Sequence, residues 1–168
     1  MKRYCVLGFI AVYLLLTAGA ASSQDDIKKH PACKSCGMDR EKFAHSRMFI
    51  EYDDGATEGT CSIHCAAILM TQNKDRRVKS LMVADYKTKR LIDSRAATWV
   101  IGGVKTGIMT STPIWAFASE EDARGFIMEN GWRLTLFDPA MAATNKEVVE
   151  NKEITHDHHG HAGHDMEP

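Results

Sequence analysis

The sequence has no cysteine beyond Cys65, no surplus of charge of either sign and no apolar run of membrane-spanning length. Its 21 Lys and Arg stand against 22 Asp and Glu, a formal net charge of -1. That balance leaves no basic footprint, so no nucleic-acid partner is expected. The apolar stretch from Val6 to Leu16 is shorter than the roughly 20 residues that cross a bilayer. It follows Lys2 and Arg3 and precedes Ala18-Gly19-Ala20, the pattern of a cleaved signal peptide over residues 1–20. Cys5 lies at the front of that segment rather than at the cleavage site, so it does not read as a lipid-attachment cysteine, and membrane tethering is left open. With 44% hydrophobic and 26% charged residues, the chain fits one globular domain, or two very small ones, plus tails.

What is present is concentrated. Cys33, Cys36, Cys61 and Cys65 are the cysteines left after export. In an oxidising periplasm four cysteines default to two disulfides. Joining Cys33 to Cys36 and Cys61 to Cys65 would close very short loops, which restrict the unfolded chain least. Metal ligation accounts for the same spacing, because a C-x-x-C turn and a second cysteine pair at a helix start can converge on one ion. Met38 follows Cys36 by two residues, and the intervening Gly37 permits a backbone tight enough to aim both side chains at one point. Thiolate and thioether together suit copper(I). The competing arrangement is a closed four-thiolate zinc site of Cys33, Cys36, Cys61 and Cys65, with Met38 a bystander. His64 would point away from Cys61 on an ideal helix, so it is either a helix-start ligand or a surface residue. His45 reads as structural or exposed. Met109, in V-K-T-G-I-M-T-S-T-P, lies in a loop from which its sulfur could reach across to a metal.

The polar residues 21–32 read as a linker. Ser46 to Tyr52 and Ala56 to Thr60 are predicted strands around the turn signal Asp53-Asp54-Gly55. Ser62 then caps a helix that places Cys61 and Cys65 one turn apart. Ser80 to Tyr86 returns as a strand. The second half repeats the order: strands at Arg90 to Asp93, Ala97 to Ile101 and Pro113 to Ala118, a helix opened by Ser119 and stopped at Asn130-Gly131, and a closing strand from Trp132 to Phe137. The fold class is therefore α+β, with a first ββαβ unit over 33–88 and a second over 89–140. Residues 141–168 form a charged segment, helical over Lys146 to Ile154, and a tail expected to be disordered. That tail carries His156, His158, His159, His161 and His164, a composition that captures copper(II), nickel or zinc.

Several ordered motifs, C-G-M-D-R-E-K-F-A-H-S-R-M-F-I-E-Y-D-D-G, V-A-D-Y, L-I-D-S-R-A-A-T-W-V-I-G-G and G-I-M-T-S-T-P-I-W-A-F-A-S, resemble the NosL family. These are accessory proteins linked to assembly of the copper sites of nitrous-oxide reductase. The resemblance implies an extracytoplasmic copper(I)-binding chaperone of two similar α+β units, distantly like the organomercurial lyase fold. It places the family's Cys-x-Met pair on Cys36 and Met38, and the methionine of its Gly-x-Met loop on Met109. Two departures stand out. Family members are typically lipoproteins, and many carry only the second cysteine of the C-x-x-C.

The functional expectation is a periplasmic metallochaperone, not an enzyme, that exchanges copper(I) with a cuproenzyme acceptor such as nitrous-oxide reductase or its assembly machinery. The alternatives are a zinc-stabilised binding module built on the four cysteines, and a thiol enzyme acting by disulfide exchange or organomercurial cleavage.

Overall fold

The computed structural model describes residues 24–157. The expected signal peptide and His158, His159, His161 and His164 lie outside them, as does the side chain of His156.

The first unit begins with a hairpin. Strands β1 (Met48–Tyr52) and β2 (Thr57–Thr60) pair antiparallel from Met48↔Thr60 to Glu51↔Thr57, and Asp54 accepts the Ala56 amide in the turn between them. Helix α2 (Ile63–Gln72) follows, and strand β3 (Val78–Ala84) returns to pair with β1 on its other side. The second unit has the same plan: strands β5 (Thr98–Ile101) and β6 (Ile114–Phe117), helix α3 (Glu120–Asn130) and strand β7 (Arg133–Thr135). The sheet orders are β2-β1-β3-β4, where β4 is Leu91–Asp93, and β6-β5-β7. In both units the first strand is flanked by the second strand on one side and by the strand after the helix on the other.

Three features differ from the reading of the sequence. Strand β4 (Leu91–Asp93) does not open the second unit; it pairs with β3 at the edge of the first sheet. A short turn between adjacent strands favours antiparallel neighbours, and Asp85 closes this one by accepting from the Thr88 amide. Within the polar stretch 21–32, Asp25–Lys29 form a short helix, α1, with Ile27 buried. The charged segment after residue 140 belongs to the long helix α4 (Phe137–Asp157). Ala140, Met141 and Val148 of α4 enter the main core.

That core joins the two units. Met48, Ile50 and Tyr52 of β1, alternating as a half-buried strand requires, meet Ile63, Ala66, Ala67 and Leu69 of α2 and Trp99 and Ile101 of β5. Strands β5 and β6 are covered on both faces. Trp99, Ile101, Ile114 and Ala116 face the shared core, whereas Val100, Trp115 and Phe117 pack with Ala123 and Phe126 of α3 in a second core. A sheet buried on both sides reads as continuous apolar runs, as Ile114–Phe117 does.

Candidate metal centre

Two backbone devices bring the cysteines together. The first is the tight turn after Cys33. The Gly37 amide donates to the Cys33 carbonyl at 2.8 Å, and the Cys33 amide donates to the Met38 carbonyl at 2.8 Å. Gly37 sits at φ +77°, a conformation that glycine adopts without the Cβ penalty. The Lys34 amide donates to the Gly59 carbonyl at 2.9 Å, fixing the turn against β2. The second device is the strand-to-helix step. Cys61 ends the hairpin, and Ser62 is the extended N-cap of α2, its hydroxyl making no capping bond to the helix. That hydroxyl instead lies 3.8 Å from the Cys61 sulfur.

A buried charge cluster underpins this arrangement. Arg40 and Arg47 are wholly buried and both bond to the Asp26 carboxylate, at 2.7 and 2.8 Å. Arg40 also donates to the carbonyls of Thr60, Met48 and His30. It therefore ties α1, the cysteine turn and the strand leading to Cys61 into one piece. A Cβ on Gly59 would fall 2.5 Å from the Arg40 guanidinium, so this strand position has room for hydrogen alone. Ser46 donates to the Cys61 carbonyl at 2.8 Å.

The result is a cluster in which the sulfurs of Cys33, Cys36, Cys61 and Cys65 all lie within 4.8 Å of one another. Cys36 and Cys61 are 3.5 Å apart, and Cys61 and Cys65 3.6 Å. These separations far exceed a disulfide bond of about 2.05 Å, and all four cysteines are free. Cys33, Cys61 and Cys65 are buried while Cys36 is exposed. Met38, Phe43 and Ile108 pack against the three buried cysteines.

The thiols divide their protons unequally. Cys33 is driven far below the ordinary thiol value because Cys61 and then Cys65 hydrogen-bond to its sulfur, with help from the backbone amides of Cys36 and Cys61. Cys61 is driven far up, first by its bond to Cys33, then by Cys65 and by burial. Cys65 is pushed up to about 12, with the Cys33 bond again the leading cause. Burial and the mutual hydrogen bonds among the thiols thus oppose several thiolates side by side in the pocket. Making further thiolates there requires a positive ion among them.

The other residues singled out from the sequence are placed differently. His64 is buried, but it does not join the four-sulfur group. Its Nδ1 lacks a hydrogen-bond partner among the described residues, and burial holds it below the usual imidazole value, with Glu147 pulling the other way. Met109 is 45% exposed at φ +63°. It is the neighbouring Ile108 that packs on the cysteines. His45 stacks on Trp115 at 5.4 Å between ring centres and serves packing. Asp26, Arg40 and Arg47 carry no local sequence signal, because the pairs they form span 14 and 21 residues.

The profile of the NosL family matches residues 24–143, which include both units and the entire cluster. The chain belongs to the NosL family. Among curated protein sequences none matches this NosL member. Among solved structures its fold is similar to that of the copper chaperone NosL from Shewanella denitrificans. The two share 24% identity over 64% of this chain and 87% of that one, with a TM-score of 0.51. At that identity the likeness speaks to the fold, two α+β units in one body, and the cysteine cluster fits metal binding independently of it.

Proposed function

We propose that this NosL member is a copper(I)-binding metallochaperone that works outside the cytoplasm and passes its ion to a cuproenzyme of the nitrous-oxide reductase type or to its assembly machinery. Family membership and the name of the similar solved structure, a copper chaperone, support the reading. The observation that carries it is the unequal exposure of the sulfurs: three thiols are buried, and the fourth, Cys36, opens to solvent beside a half-buried Met38.

A carrier must hold its ion firmly and still release it. Soft donors satisfy the first requirement, since thiolate and thioether favour copper(I) over harder ions. An exposed ligand satisfies the second, because an acceptor thiolate or imidazole can approach the ion at Cys36 before the remaining bonds break. Transfer is ligand exchange, and no bond in a substrate is made or broken. The Cys36 thiolate is the entry and exit ligand, and the Met38 thioether is the weaker donor that keeps the site reversible. Met109 supplies a third sulfur from its exposed loop, where a left-handed backbone at a non-glycine residue costs about 1–2 kcal/mol, a strain that often accompanies a functional position.

Anaerobic copper(I) titration against a competing chelator tests this reading. Met38→Leu is nearly volume-conserving, so it should leave the fold stable to within about 1.5 kcal/mol. Losing even a group that merely supports a metal ligand costs about 10- to 100-fold in affinity, so Met38→Leu should weaken copper(I) binding at least about tenfold. Cys36→Ser should weaken it more. Parental affinity in both variants would refute the assignment.

A further inference from the structure

The four cysteines form a more complete site than a copper(I) carrier requires. Four sulfurs mutually within 4.8 Å, two of the pairs 3.5 and 3.6 Å apart, approach the edge of a tetrahedron built on zinc–sulfur bonds of about 2.3 Å, an edge of about 3.8 Å. We propose that the resting protein holds one zinc(II) in a closed tetrathiolate site made by Cys33, Cys36, Cys61 and Cys65, and that copper(I) loads by displacing it through the exposed corner, Cys36. The second half of this proposal rests on the copper-carrier reading above; the first half does not.

Three observations point to a divalent tetrahedral ion. The donors are four cysteines, with no histidine or carboxylate of the described residues among them, and tetrahedral S4 geometry is diagnostic of zinc or iron. Three of the four are shut off from solvent, which suits a structural ion with no open coordination position. The surroundings are also arranged for negative sulfur. Cys61 and Cys65 flank the start of the ten-residue helix α2, whose first amides have no side-chain cap and whose dipole favours anions. The Ser62 hydroxyl, free of the cap, instead accepts from the Cys61 thiol at 3.8 Å. In the pairing of the two units, Ala118 and Ser119 stand before α3 where Cys61 and Ser62 stand before α2. There Ser119 caps its helix in the ordinary way, accepting from the amides of Glu121 and Asp122. The unit without cysteines keeps the cap, and the unit with them gives it up.

Exchange is balanced without redox chemistry. Zinc(II) leaves as copper(I) binds at Cys36 and neighbouring sulfur, and thiolates left without a metal take protons from water. Thiolates prefer copper(I) to zinc, which sets the direction.

The test uses the full-length protein, produced with zinc in the medium and no added copper and purified without chelator. Native mass spectrometry and elemental analysis should give one zinc per chain, and alkylation should modify none of the four cysteines until the metal is stripped. Copper(I) addition should then release zinc, read with a colorimetric zinc indicator, one for one at saturation. Cys61 is fully buried, so Cys61→Ser perturbs the fold as well as the site, and Cys36→Ser, altered at the surface corner, is the variant used. It should keep the parental circular dichroism and lose zinc at chelator concentrations about 10- to 100-fold lower. Iron in place of zinc, metal-free protein with four reactive cysteines, or unchanged zinc retention in Cys36→Ser would overturn the zinc site. Copper(I) binding without zinc release would overturn the exchange. Zinc present with no copper(I) uptake would leave the zinc site standing and refute the carrier reading.

Discussion

Asp26 shows how much one side chain can decide. Its carboxylate is nearly buried, which alone would raise its pKa, yet Arg47 and then Arg40 outweigh burial and hold it below the ordinary value. A carboxylate whose folded pKa is depressed stabilises the fold above its unfolded value, near 3.8, and loses that contribution as pH falls through the folded one. Removing one partner of a buried ion pair leaves the others uncompensated and costs about 3–5 kcal/mol. Asp26→Asn is therefore expected to lower stability by about that much at pH 7. Urea unfolding of parent and variant at a series of pH values should show the gap closing as the medium is acidified below the Asp26 range. A gap that stays constant down to strong acid would mean that the arginines do not depend on the Asp26 charge.

At the scale of elements, the hairpin, both central helices and the strands of each unit were legible, because alternation, turn chemistry and caps are local signals. Asp53-Asp54-Gly55 and Ser119 mark their turn and cap in the structure as they do in the letters. The convergence of Cys33, Cys36, Cys61 and Cys65 was also readable, since a C-x-x-C turn and a helix start are both short-range features. Three things were not. Strand β4 carries no mark of which sheet it joins. Helix α1 reads as solvated because its one decisive contact, Asp26 to the arginines, is long-range. His64 is one residue from a cysteine but faces elsewhere, and spacing alone could not settle its direction. Two substitutions test the elements. Ser119→Ala removes the cap of α3 and should cost about 1 kcal/mol, with metal affinity unchanged, since no α3 residue belongs to the sulfur cluster or packs on it. Gly59→Ala drives a methyl against the Arg40 guanidinium and should cost about 1–3 kcal/mol. Unlike the cap variant, it should also weaken copper(I) binding, because Arg40 holds the strand that delivers Cys61. Equal effects of the two on affinity would sever the proposed link between Arg40 and the site.

As a whole, the molecule is two copies of one topology with a single shared core, and only one copy bears the sulfur cluster. The second copy supplies Ile108, the cover over the buried cysteines, together with the loop that carries Met109. The chain also has eight histidines, five of them at or beyond residue 156, so the central claim is that copper(I) settles on sulfur in preference to imidazole. X-ray absorption at the copper edge of the full-length protein, loaded anaerobically with one equivalent of copper(I), measures this directly. The account predicts a first shell of sulfur alone that loses one scatterer in Met38→Leu. A shell dominated by nitrogen, unchanged by that substitution, would contradict it.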